Sequence, residues 1–199
     1  MFFNNVLEER DSKYNGRLKV IKTLGYGTYI QSDGLTQSGG VVESIWKSIL
    51  RRIKDKDITK ILVLGLGAGT LAKLLRRKYP NSKIAGVEID PLMIELGKKY
   101  FKLEDFKINI NVKDVINFKI DKYDLIIVDL YNGDKYPKEF ETIKFLKSLR
   151  SSKLLVFNRL YYREKKQDAL EFGEKLKKVF QKVETYYPTA NVMFFCYNS

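Results

Sequence analysis

The chain has no histidine and a single cysteine among its 199 residues. The first absence excludes a Ser-His-Asp triad, a Cys-His pair and any His-ligated metal site, so acid-base chemistry must fall to carboxylates, Tyr or Lys. The second excludes an internal disulfide, and Cys196, set in the apolar run VMFFCY, reads as a small core residue rather than a reactive thiol. No stretch approaches the ~18 uncharged apolar residues of a membrane span. The opening residues MFFNNVLEERDSK also lack the basic-then-apolar order of a leader. A soluble, cytoplasmic chain with no membrane partner is therefore expected. Repeats and low-complexity tracts are missing as well.

What is present suits one globular domain with at most a small appendage: 44% of residues are hydrophobic, with 12 Phe and 13 Tyr. The formal net charge of +13 would draw nucleic acid, acidic lipid or phosphorylated substrates through its summed field. The lysines, however, are spread through KSILRRIKDKD, LAKLLRRKYP, ELGKKYFK and GEKLKKVF, without one dense tract or interleaved aromatics. A solvated lysine-rich surface accounts for that, and nucleic acid is the less favoured partner.

The segment RLKVIKTLGYGTYIQSDG alternates branched or aromatic residues with polar ones around a glycine turn, the pattern of a short N-terminal β-hairpin. After Gly39 and Gly40, VVESIWKSILRRIKDKD places Val42, Ile45, Ile49 and Ile53 on one helical face. From Ile61 the pattern becomes regular. Strand ILVLG, helix LAKLLRRKYP, strand KIAGVEID, helix PLMIELGKKYF and strands INVKD and YDLIIVDL follow in turn. Next come the loop YNGDKYP, a helix over KEFETIKFLKSLR, a strand KLLVFN, a helix from about Arg163 to Phe180 and two closing strands, KVETYY and VMFFCY. Such alternation predicts a doubly wound α/β fold, a Rossmann-like, mostly parallel, seven-stranded sheet. The one plausible boundary, near residues 39 to 42, divides an N-terminal segment (1–40) from a nucleoside-binding catalytic domain (41–199).

Gly65, Gly67 and Gly69 lie in GLGAGT, directly after a buried strand and before a helix, where small residues let backbone approach a ligand closely. A P-loop would need Gly-Lys-Ser/Thr, but Thr70 and Leu71 follow the last glycine. The second strand ends in VEID, which puts Glu88 nineteen residues beyond Gly69, where a carboxylate can accept from both ribose hydroxyls. Asp90 precedes Pro91 and is read as a helix N-cap. The third strand delivers Asp114, with Val115 beside it, to the same sheet edge, where the acid can accept from an adenine amine. NAD shares the first two features, but the spacing is not GxGxxG, and Asp114 favours a sulfonium nucleoside. Asp129, closing DLIIVD, brings a carboxylate to the edge where open α/β sheets place reactive groups.

DGLTQSGG, then GLGAGT, VEID, Asp114 and Asp129 follow one another in the order seen in spermidine synthases, and the chain resembles the polyamine aminopropyltransferase family over about residues 8 to 197. It looks closest to the divergent bacterial spermidine synthase-like branch, whose pattern after the fourth strand is met by Asp129, Leu130, Tyr131, Pro137, Phe140, Thr142 and Phe145. The resemblance implies a methyltransferase-like fold, a co-substrate that is S-adenosylmethionine or its decarboxylated form, and no metal. It also implies that Gln37 lies near the nucleoside, Glu88 holds ribose, Asp114 holds adenine, and Asp129 orients or deprotonates an acceptor amine. Trp46, Tyr131, Asn132 and Tyr161 are expected around the acceptor, and a homodimer is compatible with the resemblance.

Three departures accompany it. Ala68 replaces an acid in the glycine loop. Asn132 falls in the stretch where the family has a second acid, with Asp134 near but out of register. Lys47 stands at the gate, where it would repel a polyamine. Plain putrescine is thus not the expected acceptor. Two other readings stay open at this point: an S-adenosylmethionine-dependent methyltransferase, whose cofactor carboxylate GLGAGT would suit, and a nucleoside- or RNA-binding protein with little catalysis.

Overall fold

The structure, a computed structural model, describes residues 5–198. The first four residues of the opening stretch discussed above, and Ser199, lie outside it. β1 (Asn5–Ser12), β2 (Gly16–Thr23), β3 (Gly27–Ser32) and β4 (Leu35–Gly39) form an antiparallel meander in chain order. The expected hairpin is the β2–β3 pair, and one strand is added on each side of it. Neither added strand is apolar enough to announce itself: NVLEERDS is an exposed or half-exposed edge strand, and LTQSG is short and polar.

The remainder is α1 (Gly40–Arg52), β5 (Lys60–Leu64), α2 (Thr70–Lys78), β6 (Lys83–Glu88), α3 (Pro91–Phe101), β7 (Asn109–Val112), β8 (Leu125–Val128), α4 (Ile143–Ser148), β9 (Leu154–Leu160), α5 (Lys165–Lys177), β10 (Lys182–Tyr186) and β11 (Asn191–Tyr197). The sheet order is β10-β11-β9-β8-β5-β6-β7, with β5 to β9 parallel. The last strand inserts antiparallel between β9 and β10. Strand order reverses between β5 and β8, and the crevice at such a switch point is where open α/β sheets bind ligands.

The unbroken apolar runs pack both faces of this sheet. Leu62, Leu64, Ile126, Val128 and Phe157 meet α4 and α5, while Ile61, Val63, Leu125, Ile127 and Val156 meet α1 and α2. Of the expected α1 face, Ile49 and Ile53 are buried with Trp46, whereas Val42 and Ile45 are only half-buried. A third, smaller core joins Leu18, Val20 and Ile30 of the meander to Leu92, Met93 and Leu96 of α3, holding the meander over the edge where β5 and β6 end.

The helix expected over residues 138–150 is interrupted. A 3-10 turn, Lys138–Glu141, gives way to α4 because Thr142 is extended and its hydroxyl accepts from Phe145 N. Thr142 thereby acts as an N-cap. α5 begins at Lys165, two residues later than expected, after Arg163 adopts φ +46.

Candidate active site

The carboxyl ends of β5, β6, β7 and β8, together with β4, α1 and the start of β11, enclose a cavity of about 480 Å³, within the usual range for small-molecule sites. Its wall includes Gln37, Trp46, Gly65, Gly67, Glu88, Asp114, Val115, Asp129, Tyr131 and Asn132. Of the residues expected at the site, Gly69 and Tyr161 are not on this wall. Gly69 is in the left-handed region at φ +93 and starts α2; a side chain there would strike Leu103. Tyr161 follows the end of β9 and meets the Tyr187 ring at a tilt of 57°, with centroids 5.0 Å apart, while its neighbour Tyr162 borders the cavity. Tyr161 lies just past the last residue of β9 and Tyr162 in the bend that follows, so the chain turns between them.

The glycine loop is held from three sides. Gly65 N and Leu66 N donate to Val87 O, both at 3.0 Å. Gly67 N donates to Glu88 Oε2 at 2.7 Å, Ala68 N to Ser38 Oγ at 3.0 Å and Gly69 N to Leu66 O at 3.2 Å. All five loop amides therefore have partners within the protein. Gly39 N donates to Thr70 Oγ1 at 2.7 Å, so β4 is tied to the start of α2 as well. Glu88 is buried and its other oxygen accepts from Asp90 N at 3.0 Å. Burial pushes its carboxyl above the ordinary range, opposed by the amides of Asp90 and Gly67. Asp90 caps α3 by accepting from Leu92 N at 2.9 Å, as its position before Pro91 suggests, and it also receives Asn15 Nδ2 at 2.7 Å. Asp114 Oδ1 accepts from Ile116 N at 3.0 Å while the residue borders the cavity at the tip of β7.

Asp129 sits at the switch point. Its neighbours are hydrogen-bond donors, not cations: Asn158 Nδ2 donates at 2.8 Å, and the Trp46 indole N–H donates as well. Asn158 is itself oriented, since Asn191 Nδ2 donates to its Oδ1 at 2.8 Å. The relay therefore runs from β11 through β9 to the end of β8. Desolvation raises the Asp129 carboxyl from 3.8 to about 6, against the opposing pull of Asn158 and Trp46. Gly65 lies under this residue at φ +85, and a Cβ there would collide with the Asp129 carbonyl oxygen.

The loop after β8 is braced by polar contacts. Tyr131 Oη accepts from Leu160 N at 2.7 Å, and its ring meets Tyr136 edge-on with centroids 5.5 Å apart. Asn132 and Lys135 exchange backbone hydrogen bonds of 2.9 and 3.1 Å, and Gln37 Nε2 reaches Gly133 O at 3.4 Å. Below the loop, Arg159 and Glu141 form a buried ion pair at 3.1 Å, extended by Lys175 at 2.8 Å, with Arg159 4.0 Å over the Tyr136 ring. Asp134 does not substitute for a second acid in the cavity. It pairs with Lys165 at 2.8 Å and faces a neighbouring groove. Lys47 is drawn to Glu43 at 2.8 Å and is not part of the cavity wall.

Ser38, Thr70, Asn158, Asn191 and Tyr162 are site residues that the sequence reading passed over. For Asn158 a signal existed: it ends an apolar strand at the same sheet edge as Asp129. Asn191 and Ser38 carry no such mark.

Residues 61–146 match the family described as "Methyltransferase domain". A curated relative named polyamine aminopropyltransferase, from Clostridium botulinum, is 30% identical over 212 residues, covering 94% of this chain and 74% of that protein. Among solved structures, a probable spermidine synthase from Corynebacterium glutamicum superposes with a TM-score of 0.79 at 19% identity, covering 98% of this chain and 81% of its own. A spermidine synthase in complex with the transition-state analogue AdoDATO superposes with a TM-score of 0.76 at 18% identity, covering 98% and 74%.

Proposed function

Because the chain belongs to the polyamine aminopropyltransferase family, we propose that it transfers an aminopropyl group from decarboxylated S-adenosylmethionine to an amine, with Asp129 receiving the acceptor's proton. The observation that carries this choice of donor is the saturation of the glycine loop. The carboxylate of intact S-adenosylmethionine would find all five loop amides already partnered and, among the described residues, no Lys or Arg on the cavity wall, which leaves it only neutral side-chain donors such as Gln37 and Asn132. A carboxylate held there without a cation or a free backbone donor is disfavoured. The cavity instead carries Glu88, Asp114, Asp129 and Glu139, so in a protein of net charge +13 this crevice favours cations such as a sulfonium and an ammonium.

Asp129 then acts on the acceptor. An alkylammonium has no lone pair until it loses a proton, and a carboxylate raised to about 6 by desolvation is a better proton acceptor than an exposed one. The freed nitrogen attacks the carbon next to sulfur, the carbon–sulfur bond breaks, and methylthioadenosine leaves. Asn158 and Trp46 hold the carboxylate in place through this step, and alignment supplies much of the rate. Glu88 and Asp114 belong to the ribose and adenine end, supported by their places at the tips of β6 and β7. Gln37 and Val115 border the same cavity.

Titration calorimetry with both nucleosides, combined with product analysis, tests the assignment. Tighter binding of the decarboxylated form and release of methylthioadenosine are expected. Tighter binding of S-adenosylmethionine with release of S-adenosylhomocysteine would establish methyl transfer in its place.

A further inference from the structure

Next to Asn158 on β9 stands a buried arginine that is not on the cavity wall. The Arg159 side chain is 5% exposed and that of its partner Glu141 4%. A buried ion pair adds little net stability, because desolvation of both charges offsets their attraction, so stability alone does not account for this one. Its charge is contained on one side, where Glu141 accepts from Arg159 at 3.1 Å and from Lys175 of α5 at 2.8 Å. The guanidinium carbon lies 4.0 Å from the centre of the Tyr136 ring and 4.5 Å from that of Phe172 on α5. On its other side is Tyr131. Three consecutive residues of β9 hold the Tyr131 hydroxyl: Leu160 N donates to Oη at 2.7 Å, the Arg159 guanidinium donates to the same oxygen, and Oη donates toward Asn158 O at 3.5 Å. A phenol oxygen has two lone pairs and one proton, and all three are engaged.

Tyr131 borders the cavity two residues beyond Asp129, close enough that the Asp129 charge acts on its phenol. Burial pushes that phenol up, opposed first by the Arg159 charge, so Tyr131 stands neutral beside the reacting carboxylate. We propose that Arg159 is a positioning residue for the acceptor: through the Tyr131 hydroxyl it fixes the part of the cavity wall against which the amine is held for Asp129. This role rests on the proposed transfer and adds to it a side chain that touches neither nucleoside nor amine. Of the three contacts to Oη, two are made by backbone. The guanidinium is the one that ties Tyr131 to Glu141 and, through Lys175, to α5.

The test is a double-substitution cycle on methylthioadenosine release from decarboxylated S-adenosylmethionine, with the best-used of 1,3-diaminopropane, 1,4-diaminobutane and spermidine as acceptor. Arg159→Met leaves Glu141 paired with Lys175. It should raise the KM for the amine at least about tenfold while the Kd of the nucleoside, measured by calorimetry, changes less than about twofold. Tyr131→Phe should raise the amine KM to a similar extent. In the Tyr131→Phe background, Arg159→Met should change that KM less than about twofold further, because the contact it removes is already gone. An unchanged amine KM in Arg159→Met, an equal loss of nucleoside binding, or the same rise in both backgrounds overturns the inference and leaves aminopropyl transfer standing. No release by the unsubstituted protein with any of the amines overturns both. Should Arg159→Met fail to fold, Arg159→Met combined with Glu141→Gln removes the ion pair without leaving a buried charge alone, and the same cycle is read from it.

Discussion

Replacing Asp129 with Asn should stabilise the fold increasingly as pH rises while removing transfer, because the property that suits this carboxylate to accept a proton also makes it costly to ionise. Its folded value of about 6 stands above the ordinary 3.8. Between those values the native state holds a proton that the unfolded chain has released, so native stability falls as pH rises through the window from about 4 to about 6. The gap is worth roughly 3 kcal/mol, fully expressed above about pH 6. Asn cannot ionise, so that slope is absent from the variant. It carries instead a pH-independent penalty of about 1–3 kcal/mol, because an amide nitrogen cannot accept from the second of the two donors, Asn158 and Trp46, whereas both oxygens of a carboxyl group, protonated or not, have lone pairs to do so. The variant should therefore be the less stable protein at pH 4. Its stability relative to the unsubstituted chain should climb by about 2–3 kcal/mol by pH 7.5. Urea unfolding of both proteins at half-unit intervals of pH measures that difference, in which the other titrating groups cancel. Transfer at pH 7.5 should fall at least 100-fold. A stability difference that stays flat from pH 4 to 7.5 would refute the account of Asp129 as a desolvated base, whatever happened to activity.

Two further substitutions probe the surroundings of that carboxylate. Asn158→Ala removes a donor that pulls the Asp129 carboxyl down, so the acid limb of the kcat/KM profile, expected near pH 6, should move to higher pH; an unmoved limb would separate Asn158 from the proton transfer. Gly65→Ala puts a methyl group against the Asp129 carbonyl at a residue with φ +85, and should lower stability by about 1–3 kcal/mol in thermal unfolding and transfer by more than tenfold.

Much of the cavity's sheet-edge wall was legible in the one-dimensional pattern. A strand that ends in a glycine turn, and later strands that end in acids, deliver those residues to one edge of a parallel sheet whatever the details, so Gly65, Gly67, Glu88, Asp114 and Asp129 could be assigned to a common crevice from their order. Asp90 was legible as a cap because Pro91 follows it. The fold class followed from the same alternation, since the apolar runs of β5 and β8 can be satisfied only by helices on both faces.

The acceptor end could not be read this way, because its parts are joined by sheet order and register rather than by spacing along the chain. Asn191 reaches Asn158, and Asn158 reaches Asp129, because the last strand inserts beside β9, pairing Met193 with Asn158 and Asn191 with Leu160. A one-residue slip in that register would turn the amides to the other face. Tyr161, expected at the cavity, lies off its wall while Tyr162 is on it, because the chain turns just past the end of β9. The glycine loop's amides are unassigned in the sequence; Glu88 and Ser38 of β4 take those of Gly67 and Ala68 only in the fold. The sequence by itself determined which residues reach the edge of the sheet. Only the tertiary structure decided which of their hydrogen-bonding groups remain available to a ligand, because that depends on partners 21 residues (Gly67 and Glu88) to 83 residues (Trp46 and Asp129) apart, brought close by packing.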